Sequence, residues 1–195
     1  MKLNFYTNYS PSHKILFDQY FFTSFPHHEF NLYVQLDPQK CPTGNYHEVG
    51  YAESCLLKVK MLIQACKDNM GNFFVFSDID VQFFGNIKDE LIKQLDNYDI
   101  ACQDDNDFYC AGFFICKCNN KILALFEAMA EDLQFNLNKL NMDCQIMLNK
   151  YIPILDIKAT KLSRKFITVG NIIYDIWDEN KGEIIFPKDI FRFSM

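Results

Sequence analysis

The first part of the chain alternates between stretches with a strand-like pattern and stretches with a helix-like pattern. Apolar and polar residues alternate with a period of two in Leu3–Thr7 and Asn31–Leu36, as they do in half-buried strands. Ala52–Asn69 repeats its apolar residues at helical spacing, and Gly71 follows it as a terminator. With another helix expected over 13–23, the pattern predicts the order strand, helix, strand, helix.

A short run of four apolar residues, Phe73–Phe76, supplies the next strand. The run is too short for a buried helix, and an uninterrupted apolar run is typical of a strand covered on both faces of a parallel sheet. Strands and helices that alternate in this way imply parallel, doubly wound sheets. We therefore predict an α/β, Rossmann-like fold whose mainly parallel central sheet is flanked by helices.

The rest of the chain continues the alternation with shorter elements. We expect helices over 87–95, 122–137 and 142–151, and strands over 98–102, 109–117, 154–156, 166–170 and 184–191. A charged loop is expected over 103–107. Gly112 interrupts an apolar strand, which indicates either a bulge or a close approach of the backbone to a ligand. The length of 195 residues suits one domain.

Composition excludes several classes of function. The net charge is −6 and no basic block is present, so we do not expect a nucleic-acid partner. No apolar run reaches the roughly 18 residues of a membrane span, and the first residues lack the apolar core of a signal peptide. The eight cysteines contain no CxxC pair, which favours reduced, buried thiols over a disulfide framework or a zinc site. A cytoplasmic protein is expected.

The candidate chemistry lies directly after the apolar run, where Asp78 and Asp80 are separated by one residue. In open α/β sheets, ligands bind at the carboxyl ends of strands. Two acids spaced in this way point to the same side of an extended chain, and carboxylates about 5 Å apart repel by roughly 3 kcal/mol at an effective dielectric constant of about 20. A divalent cation relieves the repulsion and retains positions for phosphate oxygens. The alternative is an ordinary strand end with solvated acids.

Several segments, taken in order, resemble the nucleotide-diphospho-sugar transferases of the glycosyltransferase type-A fold, which include plant cell-wall galactosyl- and xylosyltransferases. Phe5–Thr7 is similar to the first strand of that family, and Phe76–Phe84 is similar to its DxD metal motif. Tyr98–Ile100 and Cys110–Phe114 resemble the pair of strands that line the donor sugar. Asp143–Asn149 resembles an Asp-Gln-x-x-x-Asn segment. The resemblance covers most of the chain.

The resemblance implies a glycosyltransferase that moves a sugar from a nucleotide-diphosphate donor, expected to be a UDP-sugar, to an acceptor hydroxyl on a glycan, protein or small molecule, with retention of configuration. Asp78 and Asp80 would hold Mn²⁺ or Mg²⁺, and Lys58 would face the diphosphate. Asp143 and Gln145 are implied as catalytic residues that position the sugar or the acceptor, although Asp143 also suits a helix cap. Further contacts with the donor are implied for Tyr6, Thr7, Ile79, Asp104, Ala111 and Gly112.

The sequence departs from the family pattern in two places. Cys144 stands where the family has its acid, and Asp143 comes one position earlier. Relatives often continue from a Pro-Lys-Asp-Ile stretch to a metal-binding histidine, whereas Ser194 occupies about that place here. The domain, residues 1–195, is therefore expected to be truncated at its C-terminal end, with one metal ligand fewer.

Two alternative functions follow from these features. A catalytically impaired domain would bind a nucleotide sugar without transferring it. A phosphotransferase of the haloacid-dehalogenase type would use the first aspartate of an Asp-x-Asp motif as its nucleophile. That class has its motif near the first strand and a Thr or Val two residues after the second acid, where this chain has Gln82.

Overall fold

A computed structural model of the chain describes residues 2–42, 48–139, 142–163, 166–167 and 192–194. The helical elements are a 3₁₀ turn (Pro11–His13), α1 (Lys14–Leu16), a π-helical stretch (Phe17–Phe21), α2 (Phe22–Ser24), α3 (Tyr51–Asp68), α4 (Lys88–Leu95), α5 (Asn120–Phe135) and α6 (Cys144–Ile154). The strands are β1 (Leu3–Tyr9), β2 (Phe30–Leu36), β3 (Phe73–Ser77), β4 (Val81–Phe83), β5 (Ile100–Asp105), β6 (Phe108–Lys117), β7 (Ala159–Lys161), β8 (Phe166–Ile167) and β9 (Arg192–Ser194).

The central sheet has the strand order β2-β1-β3-β6-β5-β7. Strand β1 runs parallel to β2 and β3, and β5 runs parallel to β7. Strand β6 lies antiparallel to both β3 and β5, so it alone reverses the common direction of the six strands. The prediction of a mainly parallel sheet flanked by helices is therefore confirmed. Within the described ranges, a small second sheet has the order β4-β9-β8.

The apolar run after Gly71 forms the centre of the molecule, as predicted. Phe74, Val75 and Phe76 are fully buried. Because successive side chains of a strand point to opposite faces, Phe74 and Phe76 pack into one hydrophobic cluster with α3, α5 and α6. Val75 packs into a second cluster with the aromatic residues that precede β2 and the leucines of α4. Strand β3 is thus fixed from both sides.

Two local predictions are wrong. The charged stretch expected to be a loop instead continues β5 to Asp105, turns at Asn106 and returns as β6. Asn106 has a positive φ of 52°, a conformation that asparagine tolerates better than most residues, so it closes a hairpin. The strand expected over 154–156 is the end of α6 and a turn, and the strand that joins the sheet is β7.

Other differences from the predicted elements concern their boundaries, and some predicted elements lie outside the described residues. The helix expected over 13–23 is a chain of 3₁₀, α and π turns over Pro11–Ser24. Of the strand expected over 166–170, residues 166–167 form β8, and 168–170 lie outside the described residues, as does the strand expected over 184–191. Of the helices in the described ranges, none combines the length and apolar character that a membrane span requires.

Candidate functional site

A cavity of about 680 Å³ opens at the carboxyl ends of β1 and β3. The residues that end β1 line the cavity, together with Asp78, Ile79 and Asp80, which follow β3. The first turns of α3 and the N-terminus of α6 form the other side, together with the start of β6. The cavity therefore lies where an α/β sheet normally binds its ligand, and it contains both acids of the DxD motif.

Asp78 and Lys58 form an ion pair inside this cavity. The Nζ atom of Lys58 donates to Oδ1 of Asp78 over 2.7 Å. The Lys58 side chain is 11% exposed, that of Asp78 is 41% exposed, and the Lys58 ammonium lies 4.6 Å from the centre of the Phe76 ring. Burial alone would lower the pKa of the Lys58 ammonium. Attraction to the Asp78 carboxylate, the hydrogen bond to it and the nearby sulfurs of Cys144 and Cys55 together outweigh burial and raise that pKa above its ordinary value. Lys58 is therefore a fixed positive charge in the cavity.

Because Gly112 has no side chain, the Asp78 carboxylate can lie directly against its backbone. A Cβ atom added to Gly112 would stand 2.9 Å from Oδ2 of Asp78, and the Asp78 N–H donates to the Gly112 carbonyl over 2.8 Å. The register between β5 and β6 also shifts here, since Cys102 pairs with Phe114 whereas Gln103 pairs with Cys110. Gly112 thus lies in a bulge, and the bulge brings its backbone against the first acid of the motif.

Gly112→Ala should weaken binding of a metal–nucleotide complex by about tenfold, because the added methyl group forces the Asp78 carboxylate to move by a few tenths of an ångström or more. Gly71→Ala is the control. No atom lies within 4 Å of a Cβ there, but Gly71 has a φ of 83°, so that variant should lose about 1 kcal/mol of stability and keep its binding. Calorimetry and thermal unfolding of both variants check this prediction, and equal binding by Gly112→Ala would contradict it.

The two acids suit a hard divalent cation that retains water and phosphate oxygens. Asp78 and Asp80 offer carboxylate oxygens, the ligands that Mg²⁺ and Mn²⁺ prefer. No group of three or more His, Cys, Asp or Glu side chains gathers in the part of the chain that the structure describes. A cation on these two acids would therefore take most of its ligands from solvent and from a bound diphosphate.

Asp143 caps helix α6 and also lines the cavity. Its Oδ1 atom accepts from the Ile146 N–H over 2.7 Å, and the residue is 7% exposed. The alternative interpretation of Asp143 as a helix cap is thus correct, but Asp143 also lines the same cavity as Asp78 and Lys58. A role in positioning the sugar is compatible with this position and stays a prediction.

Asp143→Ser separates the two roles of Asp143. Serine retains a capping oxygen, so the variant should keep its stability within about 0.5 kcal/mol, whereas Asp143→Ala should lose about 1 kcal/mol. If the carboxylate positions the sugar, both variants should lose turnover to a similar extent while UDP affinity stays unchanged. Thermal unfolding and turnover assays check this. Normal turnover by the serine variant would mean that Asp143 is only a cap.

Gln145 ties helix α6 to the β5–β6 hairpin. Its Nε2 atom donates to Oδ2 of Asp105 over 2.8 Å, and its Oε1 atom accepts from the Ala111 N–H over 3.4 Å. One turn later, the Asn149 amide makes two hydrogen bonds of 2.8 Å to the backbone N–H and C=O of Tyr109. Gln145 therefore positions the cavity wall at Ala111, a role that the sequence alone did not indicate.

Three of the residues implied as donor contacts lie outside the cavity wall. Tyr6 stacks on Tyr33 with ring centres 4.8 Å apart, and Asn69 donates to its hydroxyl over 2.9 Å. Thr7 is fully buried and donates to the Ser77 carbonyl over 2.7 Å. Asp104 pairs with Lys161 over 2.8 Å on the β5 side. In this structure all three hold the sheet together, and their contact with the donor stays a prediction. Ile79, Ala111 and Gly112 do line the cavity.

The cavity also contains residues that sequence reasoning missed. Asn8 and Tyr9 line it because β1 extends two residues further than expected. Asp37, which is 6% exposed, accepts from Asn8 over 2.6 Å and from Gln35 over 2.6 Å. Tyr51 begins α3, and burial raises the pKa of its phenol well above the ordinary value, so it keeps its proton. In the sequence, Asp37 and Pro38 directly follow β2 and indicate a loop, but this pattern does not show that the Asp37 side chain lines a cavity.

Comparisons with known proteins agree with this geometry. A family model described as nucleotide-diphospho-sugar transferase matches residues 16–180. A glycosyltransferase involved in the glycosylation of the major capsid of PBCV-1 superposes with a TM-score of 0.62 at 11% identity, over 100% of this chain and 94% of that one. The glycosyltransferase GlyE of Streptococcus pneumoniae TIGR4 gives a TM-score of 0.63 at 11% identity. Its apo form gives 0.63 at 12% identity.

The extent of these similarities limits what each one shows. This chain spans 54% of the length of GlyE, and at such low identity the solved structures show the fold alone. No curated protein matches the sequence. The family match, by contrast, covers most of the chain. It identifies a nucleotide-diphospho-sugar transferase and not a phosphotransferase of the haloacid-dehalogenase type.

Proposed function

The chain belongs to the nucleotide-diphospho-sugar transferase family, which makes it a glycosyltransferase, and we propose that its donor is a UDP-sugar. The reaction transfers the sugar to an acceptor hydroxyl, depends on a divalent cation and retains the configuration of the anomeric carbon. One observation carries the proposal: the cavity at the carboxyl end of β3 brings two carboxylates and a buried ammonium within reach of one bound diphosphate.

Asp78 and Asp80 would hold Mn²⁺ or Mg²⁺, for which their oxygens are suitable ligands. When bound, the cation neutralises negative charge on the departing diphosphate. Without a cation, the two carboxylates would repel the negatively charged diphosphate, and the net charge of the chain, −6, adds to this repulsion. Binding of the donor therefore needs positive charge beside the two acids. Dependence on a cation follows from this charge balance.

Lys58 supplies a second positive charge for the diphosphate. Its ammonium is nearly buried and stays protonated at neutral pH because Asp78 raises its pKa. A fixed cation in a partly desolvated site stabilises charge that develops on the leaving group without having to reorganise. Lys58 therefore changes its partner when the donor arrives, from the Asp78 carboxylate to a phosphate oxygen.

The nucleoside lies against the wall formed by the ends of β1 and β2. Asp37 is a buried carboxylate and can only accept hydrogen bonds, so it suits the N–H and O–H donors of uridine. Its contacts with Asn8 and Gln35 hold it in place before a ligand binds. Tyr9 presents an aromatic ring to the same wall, on which a base can stack.

The chemical step needs no covalent intermediate with the protein. The acceptor oxygen forms a bond to the anomeric carbon on the face from which the diphosphate departs, while the bond from that carbon to the phosphate oxygen breaks. The proton of the acceptor hydroxyl moves to the departing phosphate oxygen. Asp143 uses one oxygen as a helix cap, and we assign it and Gln145 to positioning the sugar and the acceptor.

Calorimetry with nucleotides tests this proposal. UDP should bind much more tightly with Mn²⁺ than in the presence of EDTA, and more tightly than GDP or CDP with the same metal. Equal affinity with and without metal would contradict the assigned role of Asp78 and Asp80. Equal affinity for all three nucleotides would contradict a uridine-specific wall.

A further inference from the structure

Two pairs of cysteines belong to the same hydrophobic cluster but lie in different surroundings. Cys55 on α3 and Cys144 at the start of α6 both line the cavity. Cys66 and Cys118 are 0% and 2% exposed in the core and lie outside the cavity wall. The chain thus provides one thiol pair in contact with the cavity and a matched pair that is sealed from it.

The geometry of the cavity pair is that of a thiol held against a second cysteine. The Cys144 thiol lies 3.5 Å from the backbone carbonyl of Cys55, and both residues are free and nearly buried, at 4% and 6% exposed. The nearby Cys144 thiol and the Lys58 ammonium lower the pKa of the Cys55 thiol. The Cys118 thiol and burial raise the pKa of Cys66 instead.

We propose that Cys55 and Cys144 form an oxidisable dithiol, that a small hydroperoxide converts it to a disulfide, and that this disulfide weakens donor binding. The cavity of about 680 Å³ admits a molecule the size of hydrogen peroxide, whereas the core around Cys66 and Cys118 does not.

The oxidation balances with one peroxide. The Cys55 thiolate attacks a peroxide oxygen, the O–O bond breaks, and the departing hydroxide takes a proton to become water, which leaves a sulfenic acid on Cys55. The Cys144 sulfur then attacks the Cys55 sulfur, an S–S bond forms and the sulfenic oxygen leaves as a second water. Two thiols lose two electrons in total, and the peroxide gains them.

The expected loss of donor binding rests on the proposed function. A disulfide bond of about 2.05 Å is shorter than any contact between two sulfur atoms that are not bonded, so α3 and the start of α6 must shift toward one another. Lys58 lies one turn after Cys55, and Asp143 and Gln145 flank Cys144. A shift of about 1 Å at such groups reduces UDP affinity about tenfold.

Peptide mapping after peroxide treatment tests the dithiol directly. The chain with Cys110→Ser is used, because Cys110 is the most exposed thiol and serine retains an acceptor for the Gly112 N–H, now 3.3 Å from the sulfur. Digestion without reductant should yield a Cys55–Cys144 cross-linked peptide two hydrogens lighter than its parts, with Cys66 and Cys118 still reduced. UDP affinity should fall about tenfold and return with dithiothreitol.

Variants of the pair separate oxidation from unfolding. In Cys144→Ser, the second sulfur is missing, so the Cys55 sulfenic acid should persist and be trapped by dimedone. Cys55→Ser should show neither product, and thermal unfolding verifies that both variants are folded. Absence of the cross-linked peptide, or equal oxidation of the core pair, would overturn the dithiol. A disulfide with unchanged UDP affinity would overturn its effect on the donor.

The test of the dithiol can fail or succeed independently of the proposed UDP-sugar donor. If the reduced protein does not bind UDP at all, the donor assignment fails, while the peptide map still decides whether the dithiol exists.

Discussion

Asp78→Asn should reduce UDP affinity in the presence of Mn²⁺ by about a hundredfold. Changing a residue that only supports a metal ligand typically costs 10–100-fold, so removal of one of two protein carboxylates should reach the upper end of that range. Asp80→Asn should have a similar effect, because both acids line the cavity and are assigned to the same cation. Isothermal titration of UDP at fixed Mn²⁺ measures the change.

The Asp78 variant also leaves Lys58 without its carboxylate, so its stability must be measured beside its binding. Lys58 is 11% exposed, and the loss of a charged partner for such a group costs about 1–3 kcal/mol. Asp89→Asn is the matched control, because Asp89 is 93% exposed and pairs only loosely with Lys88 at 3.7 Å. Wild-type UDP affinity in Asp78→Asn would contradict the assigned metal site, whatever the change in stability.

Lys58→Met should change the affinities for metal and for nucleotide in opposite directions. The ammonium and a divalent cation compete for the Asp78 carboxylate, so its removal should tighten Mn²⁺ binding in the absence of nucleotide by about threefold, a modest effect because Asp78 is partly exposed. UDP should bind about tenfold more weakly, because a hydrogen bond between charged groups is lost. Binding of uridine, which lacks the diphosphate, should not change.

Lys60→Met controls for the general loss of a positive charge on α3. Lys60 lies two residues further along the same helix, and it is exposed. That variant should leave the affinities for Mn²⁺, UDP and uridine unchanged. Equal losses of UDP and uridine in Lys58→Met would show that Lys58 supports the fold only, and weaker Mn²⁺ binding would show that the ion pair does not compete with the metal.

The centre of the molecule was predictable because its signals are local. Four apolar residues after Gly71 specify a buried strand, and the acids that follow must then lie at its carboxyl end. The direction of β6 was not predictable in this way. It depends on the turn at Asn106 and on the pairing of β6 with β3 and β5, which join residues distant in sequence. Propensity over a short window carries no such information.

The sequence indicated the two acids of the cavity but not all of the residues that line it. The alternating pattern of β1 has no terminator, so the strand was expected to end at Thr7, whereas it continues to Tyr9 and brings Asn8 and Tyr9 into the cavity wall. The ion pair of Lys58 with Asp78 spans 20 positions and arises from packing of α3 on the sheet. Such a contact becomes visible only when the tertiary structure is known.

Release of free sugar from a panel of nucleotide sugars, with and without Mn²⁺, tests the central claim most directly. When no acceptor is present, water can take the place of the acceptor hydroxyl, so we expect slow hydrolysis of the donor. We expect at least one UDP-sugar to be hydrolysed with Mn²⁺, the activity to disappear with EDTA, and Asp78→Asn to abolish it. UDP binding without turnover of any donor would instead indicate a catalytically impaired domain, and turnover unaffected by EDTA or by Asp78→Asn would contradict the account.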